Sequence, residues 1–293
     1  AEALTRGADI VVTGRVADPS LTVGPCIAHF GWRAEEYDRL AGATVAGHLI
    51  ECGTQVTGGI STDWLDLPGG PDIGYPIVEV SADGSCVVTK PPATGGRVSE
   101  RTVKEQLLYE IGDPSNYLSP DAAVSFLTLR VKDEGNDRVR VSGATGRHAP
   151  DTYKVSATYR AGFRAAGTLT IFGRDAVAKA RRCGEIVLAR LRAAGCEPER
   201  FNAECLGAGD VAPGVVKIET NELCEVVLRL SAADARREVV ERFTREIAPL
   251  VTTGPQGTTG YAEGRPPVRE VFGYWPTLIP RGRVRPRVEV FTI

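Results

Sequence analysis

Three side chains that can transfer protons or attack a carbonyl carbon stand close together early in the sequence. His48, Glu51 and Cys52 are separated by three and four positions, so a helix would place all three on one face. A carboxylate at that spacing can orient an imidazole, and an imidazolium lowers the pKa of a nearby thiol. The pattern predicts a proton-transfer pair or a nucleophile–base pair. The competing interpretation is a helix that buries His48 and Cys52 in the core.

A second polar group follows a short apolar run. Residues 8–13 (Ala-Asp-Ile-Val-Val-Thr) are typical of a buried central strand, and Arg15, Asp18 and Ser20 come soon after it. Ligands of open α/β sheets bind at the carboxyl ends of such strands. We therefore expect Arg15 and Ser20 to bind substrate and Asp18 to act as acid, base or orienting group. The alternative is an ordinary turn, for which Asp-Pro-Ser is also typical.

A third group combines positive charge with glycine. Lys90, Gly95, Gly96 and Arg97 precede a predicted helix, and backbone N–H groups at a helix start attract anions. The group is predicted to bind a CoA diphosphate or a carboxylate. It lacks the Gly-Lys-Ser/Thr ending of a Walker A loop, and a simple hairpin-to-helix connection explains it equally well.

Local signals indicate the elements that must position these residues. Apolar spacing predicts a helix over residues 35–50, and a loop rich in Gly, Pro and Asp follows over residues 54–76. Residues 77–89 read as a hairpin with an Asp-Gly turn. The next helix is expected to begin with Ser99 or Thr102 as its N-cap residue.

The second half of the chain reads differently from the first. Strands are expected over residues 154–159, 165–172, 224–230, 268–275 and 284–291, with long helices over residues 176–194 and 233–251. We therefore predict an α/β fold with a parallel-sheet core, incomplete at its N-terminus, in residues 1–150. A smaller α+β sandwich domain, with two long helices on a sheet, is predicted for residues 151–293.

Composition limits the classes of function. The chain has 293 residues and a formal net charge of −2, which disfavours nucleic acid as a partner. No apolar stretch is long enough to span a bilayer, so no membrane partner is expected. Seven cysteines without a Cys-x-x-Cys spacing argue against a disulfide framework and indicate a reducing, cytoplasmic location. His48, Glu51 and Asp63 are too weak a ligand set to predict a metal.

Several motifs resemble one family. Residues 14–21 (Gly-Arg-Val-Ala-Asp-Pro-Ser-Leu), 46–53 (Ala-Gly-His-Leu-Ile-Glu-Cys-Gly), 90–96 (Lys-Pro-Pro-Ala-Thr-Gly-Gly) and 103–110 (Val-Lys-Glu-Gln-Leu-Leu-Tyr-Glu) resemble the acyclic terpene utilisation A-type (AtuA) proteins, as do residues 150–156. The resemblance implies bacterial catabolism of branched terpenoids such as citronellol and geraniol, processed as CoA thioesters. It also implies a longer N-terminal segment, so we expect this chain to be a fragment.

Two hypotheses follow from the residues and the resemblance together. The first is a catabolic enzyme of hydratase or lyase type, acting on an acyl-CoA or carboxylate, with a metal-dependent hydrolase as a variant. The second is a non-catalytic assembly or ligand-binding subunit for an acyl-CoA carboxylase or hydratase. The expected partners are a small-molecule substrate and either further copies of the chain or a pathway enzyme. No cofactor beyond a CoA thioester substrate is predicted.

Overall fold

The computed structural model describes residues 1–215 and 217–292, which form two compact units. One unit comprises Ala1–Lys154 with the C-terminal residues from Leu278, and the other comprises Val155–Thr277. The helices are α1 (Glu2–Thr5), α2 (Ser20–Phe30), α3 (Tyr37–Ile50), α4 (Glu100–Leu108), α5 (Ala176–Ala193), α6 (Arg237–Thr244) and α7 (Leu250–Thr253). The strands are β1 (Ile77–Val80), β2 (Cys86–Thr89), β3 (Tyr117–Leu118), β4 (Ala123–Ser125), β5 (Arg130–Gly135), β6 (Arg138–Ser142), β7 (Thr145–Arg147), β8 (Thr152–Phe172), β9 (Arg200–Leu206), β10 (Glu225–Asp234), β11 (Thr258–Thr259) and β12 (Arg269–Pro280).

The first unit packs helices against two antiparallel sheets, of order β1-β2-β6-β5 and β3-β4-β7. Its central element is α3, in which every residue from Leu40 to Leu49 is buried. A helix that is buried all round lies in the core rather than on its surface. This placement puts the C-terminal end of α3, with His48, inside the unit.

Local signals in this unit predicted the elements well. The hairpin β1–β2 has the expected bounds, and Gly84 takes the positive φ of 87° that its turn requires. Ser99 is the N-cap of α4, and its side chain accepts a hydrogen bond from the backbone N–H of Thr102. The Thr102 hydroxyl completes the capping box, so Thr102 is the partner of the cap and not the cap itself.

The mixed α/β class is confirmed, but the parallel arrangement predicted for the core is not, because the strand pairs of this unit are antiparallel. The strand expected over residues 8–13 is also wrong. That run is irregular, and the side chains of Ile10 and Val12 are 76% and 90% exposed. A high β-propensity reports how well a residue fits a half-buried pleated surface, and these residues have no such surface around them.

The second unit is an antiparallel sheet with helices packed on one face. Its strands follow the order β11-β8-β10-β9, and β12 also pairs with β8. Alternate residues of β10, such as Val226, Leu228 and Leu230, are buried in a core shared with α5 and α6. Such alternation of buried and less buried residues is typical of a sheet with one face covered and the other exposed to solvent.

Two predicted elements of the second half differ from the structure. The helix expected over residues 233–251 is split, because β10 continues to Asp234 and α6 and α7 are separated by residues 245–249. Pro249 is the N-cap of α7, where its fixed φ suits the start of a helix. The strand expected over residues 284–291 is not formed. Within the described residues, none of the helices combines the length and the apolar character needed to cross a membrane.

Candidate functional site

The imidazole of His48 is held between the ends of two helices. Its side chain is buried, and Nε2 lies 2.8 Å from the backbone oxygen of Gln106 in the last turn of α4. In return, the side-chain amide of Gln106 donates to the backbone oxygen of His48 at 3.0 Å. A carbonyl oxygen only accepts hydrogen bonds, so Nε2 must carry a proton. The tautomer of the neutral imidazole is therefore fixed, with the lone pair on Nδ1.

That lone pair points at Glu51, whose Oε1 lies 3.0 Å from Nδ1. Burial lowers the pKa of His48, although the bond to Gln106 and the charge of Glu110 oppose this effect. Burial, a hydrogen bond with Asp18 and the charges of Asp18 and Glu110 raise the pKa of Glu51 to about 7. Glu51 also caps the C-terminal end of α3, where the helix dipole disfavours negative charge. Near neutral pH the Glu51 carboxyl is therefore partly protonated, and Nδ1 of His48 and the Asp18 carboxylate are both placed to accept its proton in a hydrogen bond.

Asp18 reaches Glu51 because two backbones pass unusually close to each other. A side chain on Gly47 would place its Cβ 2.6 Å from the Cα of Pro19, so this approach requires glycine. Gly47 lies one helical turn before Glu51, and Pro19 follows Asp18 directly. Arg15 forms an ion pair with Asp18 at 2.6 Å. The structure therefore brings Arg15 and Asp18 together with Glu51 and His48.

Glu110 is a member of this cluster that sequence reasoning missed. It follows the end of α4 in the left-handed conformation, with φ of 59°, which is strained for a residue with a side chain. Its negative charge is the largest cause of the raised pKa of Tyr109 and a smaller cause of the raised pKa of Glu51. Glu110 ends the family-like motif of residues 103–110, which was the one available signal for it.

An aromatic wall closes the inner side of the site. The ring of His48 lies 5.9 Å from the Phe126 ring and 6.3 Å from the Tyr117 ring, measured between centroids. Burial, and then the charges of Glu51, Asp18 and Glu110, raise the pKa of Tyr117. The two rings cover one side of the imidazole and contribute to the burial that lowers the pKa of His48.

Cys52 lies beside the cluster in an environment that favours its neutral thiol. Burial raises its pKa, the side chain of Gln106 lowers it, and the charges of Glu51, Glu110 and Asp18 raise it further. A cysteine nucleophile needs the opposite environment, in which positive charge stabilises the thiolate. The side-chain oxygen Oε1 of Gln106 is buried close by without a hydrogen-bond partner.

The glycine-rich group is a separate and internally bonded loop. The Nζ of Lys90 is 2.8 Å from the backbone oxygen of Thr94 and 3.2 Å from a carboxylate oxygen of Asp137, and its side chain is 6% exposed. The backbone N–H groups of Gly95, Gly96 and Arg97 donate to the backbone oxygens of Asp72, Pro68 and Thr57. These bonds engage the donors that an anion would need, and leave the exposed side chain of Arg97 at the surface.

Ser20 and Asp63 are two further residues that the sequence analysis singled out. Ser20 is the first residue of α2, and its backbone N–H donates to the backbone oxygen of Ala17 at 2.8 Å. Asp63 forms an ion pair with Arg101 at 2.6 Å and does not join His48 and Glu51. In residues 1–215 and 217–292, no set of three or more His, Cys, Asp or Glu side chains is grouped so that it could hold a metal ion.

Fold and site define a mixed α/β protein with a buried imidazole–carboxyl pair next to an Asp–Arg ion pair. The family model described as "Acyclic terpene utilisation family protein AtuA" matches residues 1–290. The chain therefore belongs to the AtuA family, which confirms the resemblance of its motifs and gives it a role in acyclic terpene utilisation. No curated protein and no solved structure matches the chain.

Proposed function

We propose that this chain is an enzyme of branched acyclic terpenoid breakdown in which Glu51 exchanges a proton with the substrate. The single observation that carries the proposal is the 3.0 Å contact of Glu51 Oε1 with His48 Nδ1 in a setting whose burial raises the pKa of Glu51 to about 7. A carboxyl group that keeps its proton near pH 7 can act as a general acid at physiological pH. Membership of the AtuA family supports the pathway, and the contact between Glu51 and His48 supports the choice of Glu51 as the acid.

The geometry favours Glu51 over His48 as the group that touches substrate. Both imidazole nitrogens are engaged, one by Glu51 and one by a carbonyl oxygen that cannot take up a proton. His48 is therefore a positioning residue, which holds the Glu51 proton and stabilises whichever charge state follows its transfer. The Glu51 side chain is 11% exposed, and it lies between the interior and the Asp18–Arg15 pair.

Asp18 suits the complementary role of base. Asp18 forms an ion pair with Arg15, while the surroundings of Glu51 favour its protonated form. Two neighbouring carboxyl groups in unlike environments can divide acid and base work. In a hydration, Asp18 would take a proton from water, the oxygen would bond to one carbon of a double bond, and Glu51 would protonate the other carbon.

The substrate class that fits this chemistry is a branched, unsaturated acyl group carried as a CoA thioester or a carboxylate. The processing of citronellol- and geraniol-derived acyl-CoA in the bacterial cytoplasm belongs to the same proposal. Arg15 is the cation next to the acid–base pair, so it would face the carboxyl or thioester end.

A solvent-exchange experiment tests the proposal whichever direction the reaction takes. The purified chain is incubated with branched unsaturated acyl-CoA thioesters in D2O, and deuterium or water uptake is followed by mass spectrometry. We expect Glu51→Gln to slow uptake at least about 100-fold, as for the loss of a general acid. The control is Glu35→Gln, which changes an exposed carboxylate ahead of α3. Unchanged uptake in Glu51→Gln would refute the acid role.

The non-catalytic subunit remains the second candidate, and the reciprocal bonds of His48 and Gln106 favour it. They give His48 a purely structural purpose, because they tie the end of α3 to the end of α4. This candidate predicts that an acyl-CoA carboxylase or hydratase co-purifies with the chain and keeps full activity with the Glu51→Gln variant. A metal-dependent hydrolase is the least supported option, since the described residues supply no ligand group.

A further inference from the structure

The C-terminal segment of the first unit carries an alternating series of arginines. Single uncharged residues separate Arg281, Arg283, Arg285 and Arg287. Alternate side chains of an extended chain point to the same side. Val284 has extended dihedral angles, with φ of −107° and ψ of 119°, and Arg285 precedes a proline, which confines it to extended conformations. We call Arg283, Arg285 and Arg287 the arginine row, since extended backbone places them side by side.

Contacts with the rest of the unit hold this segment at both ends. The backbone N–H of Arg281 donates to the backbone oxygen of Asp151 at 3.0 Å, and its guanidinium lies 4.5 Å from the centroid of the Tyr153 ring. At the other end, Nη1 of Arg6 donates to the backbone oxygen of Val288 at 3.0 Å. The arginine row is therefore positioned before any ligand binds, which lowers the entropic cost of binding.

The guanidinium groups of the arginine row are exposed, and two of them are unpaired. In the part of the chain that the structure describes, the side chains of Arg283 and Arg285 have no ion pair and no hydrogen bond. Arg287 pairs with Glu289 at 2.7 Å, but its side chain is 86% exposed, and exposed ion pairs are weak. Neighbouring positive charges repel each other, so an anion with several negative charges would stabilise the row.

Protection of a sheet edge is the usual structural reason for such charge, and it does not apply here. Residues 284–292 are irregular and form no strand. Pro286 lies between two of the arginines and has no N–H group with which to extend a sheet. Guanidinium groups bind phosphate through paired N–H donors and keep their charge at physiological pH. A ligand with several phosphate groups therefore fits the arginine row.

The spacing of the arginine row indicates how the phosphate groups of this ligand are arranged. Alternate Cα atoms of an extended chain lie roughly 6.5 Å apart, which is farther than the separation of two directly linked phosphorus atoms. Phosphate groups on different carbons of one sugar match this spacing better. We propose that the arginine row binds a nucleoside bisphosphate whose phosphates occupy different sugar positions, as in the nucleotide end of CoA.

The contacts of Arg281 connect this site with the acid–base site. Nη1 of Arg281 donates to the backbone oxygen of Pro120 at 2.5 Å. Pro120 lies three residues after Tyr117, whose ring is 6.3 Å from that of His48, and three residues span at most about 10 Å. The long pantetheine arm of CoA separates its nucleotide from the thioester by a greater length. This link rests on the proposed function, and it makes the substrate a CoA thioester rather than a free carboxylate.

Calorimetric titration of the full chain tests the nucleotide site without any turnover. The probes are adenosine 3′,5′-bisphosphate and ADP, which carry the same number of phosphates in different places. We expect the bisphosphate to bind at least about 10-fold more tightly than ADP. Arg283→Gln with Arg285→Gln should raise its dissociation constant at least about 10-fold, because two charge-assisted contacts are lost.

The charge-matched control is Arg174→Gln with Arg265→Gln, which changes two exposed arginines of the second unit. This control should leave the dissociation constant within about 2-fold of the original value. Far-UV circular dichroism of both double variants excludes unfolding as the cause of any change. Glu51→Gln should bind the bisphosphate normally, so loss of the acid role and loss of the nucleotide site are told apart.

Each other outcome contradicts the proposal. Equal binding of the bisphosphate and ADP would mean general attraction of anions without a site for separated phosphates. Absence of binding, or binding that the substitutions in the arginine row leave unchanged, would overturn the site itself. Tighter binding to vesicles of anionic phospholipid or to single-stranded RNA than to the bisphosphate would assign the row to a membrane surface or a nucleic acid instead.

Discussion

The end of α3 and the strand β12 depart from the usual distribution of residues in opposite directions. At the end of α3, polar groups are buried, and His48 and Glu51 satisfy each other there. In β12, large apolar groups are exposed, with Trp275 at 65%. Buried polar groups and exposed apolar surface are the two informative exceptions to the burial rule. The first region holds groups that can do chemistry inside the fold, and the second leaves large apolar side chains in contact with solvent.

The two regions also differ in what a substitution should do. Each buried polar atom at the end of α3 depends on a partner, so changes there should lower the stability of the fold and alter the site together. The exposed rings of β12 support few internal contacts, so changes there should leave the folded chain nearly unchanged. Substitutions in and around both regions test this contrast, beginning with the largest expected effect.

Gly47→Ala should cause the largest loss of stability. The added methyl group would lie 2.6 Å from the Cα of Pro19, and overpacking of this kind costs about 1–3 kcal/mol. This cost should exceed the gain of about 0.5–1 kcal/mol that alanine brings to a helix interior. Urea unfolding measures the difference in free energy, and acid–base activity should fall in the same variant because Asp18 moves away from Glu51.

The control for this prediction is Gly112→Ala. A Cβ at Gly112 would meet nothing within 4 Å, so its stability should change by less than about 0.5 kcal/mol. If Gly47→Ala proved as stable as the original chain, the close approach of Pro19 to α3 would not be what positions Asp18.

Glu51→Gln should make stability fall more steeply toward low pH than it does in the original chain. The raised pKa of Glu51 gives stability that is lost as pH rises through about 7, and the lowered pKa of His48 gives stability that is lost as pH falls below 6.5. Between the ordinary pKa values of the two groups, folding favours uptake of a proton by Glu51 and release of a proton from His48. The two contributions to the pH dependence therefore oppose each other in the original chain.

The amide that replaces the Glu51 carboxyl cannot titrate, so only the His48 contribution remains in the variant. The unfolded state then binds an extra proton below pH 6.5, and stability should fall toward low pH with a slope of up to about 1.4 kcal/mol per pH unit. Urea unfolding at several pH values between about 7.5 and about 5, which bracket the ordinary pKa of histidine, measures this slope. Equal slopes in the variant and the original chain would show that Glu51 does not oppose the contribution of His48.

Lys90→Met tests whether buried charge in the glycine-rich loop is structural. The Nζ of Lys90 bonds to the backbone oxygen of Thr94 within this loop and to Asp137 in the turn between β5 and β6. Because Asp137 keeps a side-chain exposure of 36%, its carboxylate can still be hydrated after the substitution. We expect a loss of about 1 kcal/mol in unfolding free energy and no change in the Michaelis constant for an acyl-CoA. A large rise in that constant would instead return Lys90 to the role of an anion ligand.

The sequence predicted the short-range features of both regions and missed the long-range ones. The β1–β2 hairpin and the bounds of α3 and α5 follow from turn residues and apolar spacing within about twenty positions. The convergence of Asp18 with His48 and Glu51 could not be predicted, because it depends on Gly47, whose close contact with Pro19 no local pattern reveals. Residues 8–13 read as a buried strand, whereas the structure leaves Ile10 and Val12 exposed.

Glu110 shows a different limit of sequence reasoning. Its left-handed backbone conformation belongs to a position where glycine or asparagine would be the expected residue, and no turn signal marks it in the sequence. The charge of Glu110 contributes to the raised pKa values of Glu51 and Tyr109. This effect becomes visible only when the neighbouring side chains are known.

Trp275→Ser should have the smallest effect on the folded chain and is the sharpest test of the contrast. Removal of a side chain that is 65% exposed should change the unfolding free energy by less than about 0.5 kcal/mol. Urea unfolding of the variant and of the original chain measures this difference. A loss of several kcal/mol would mean that Trp275 supports the fold of its own chain, and the two regions would then no longer differ in kind.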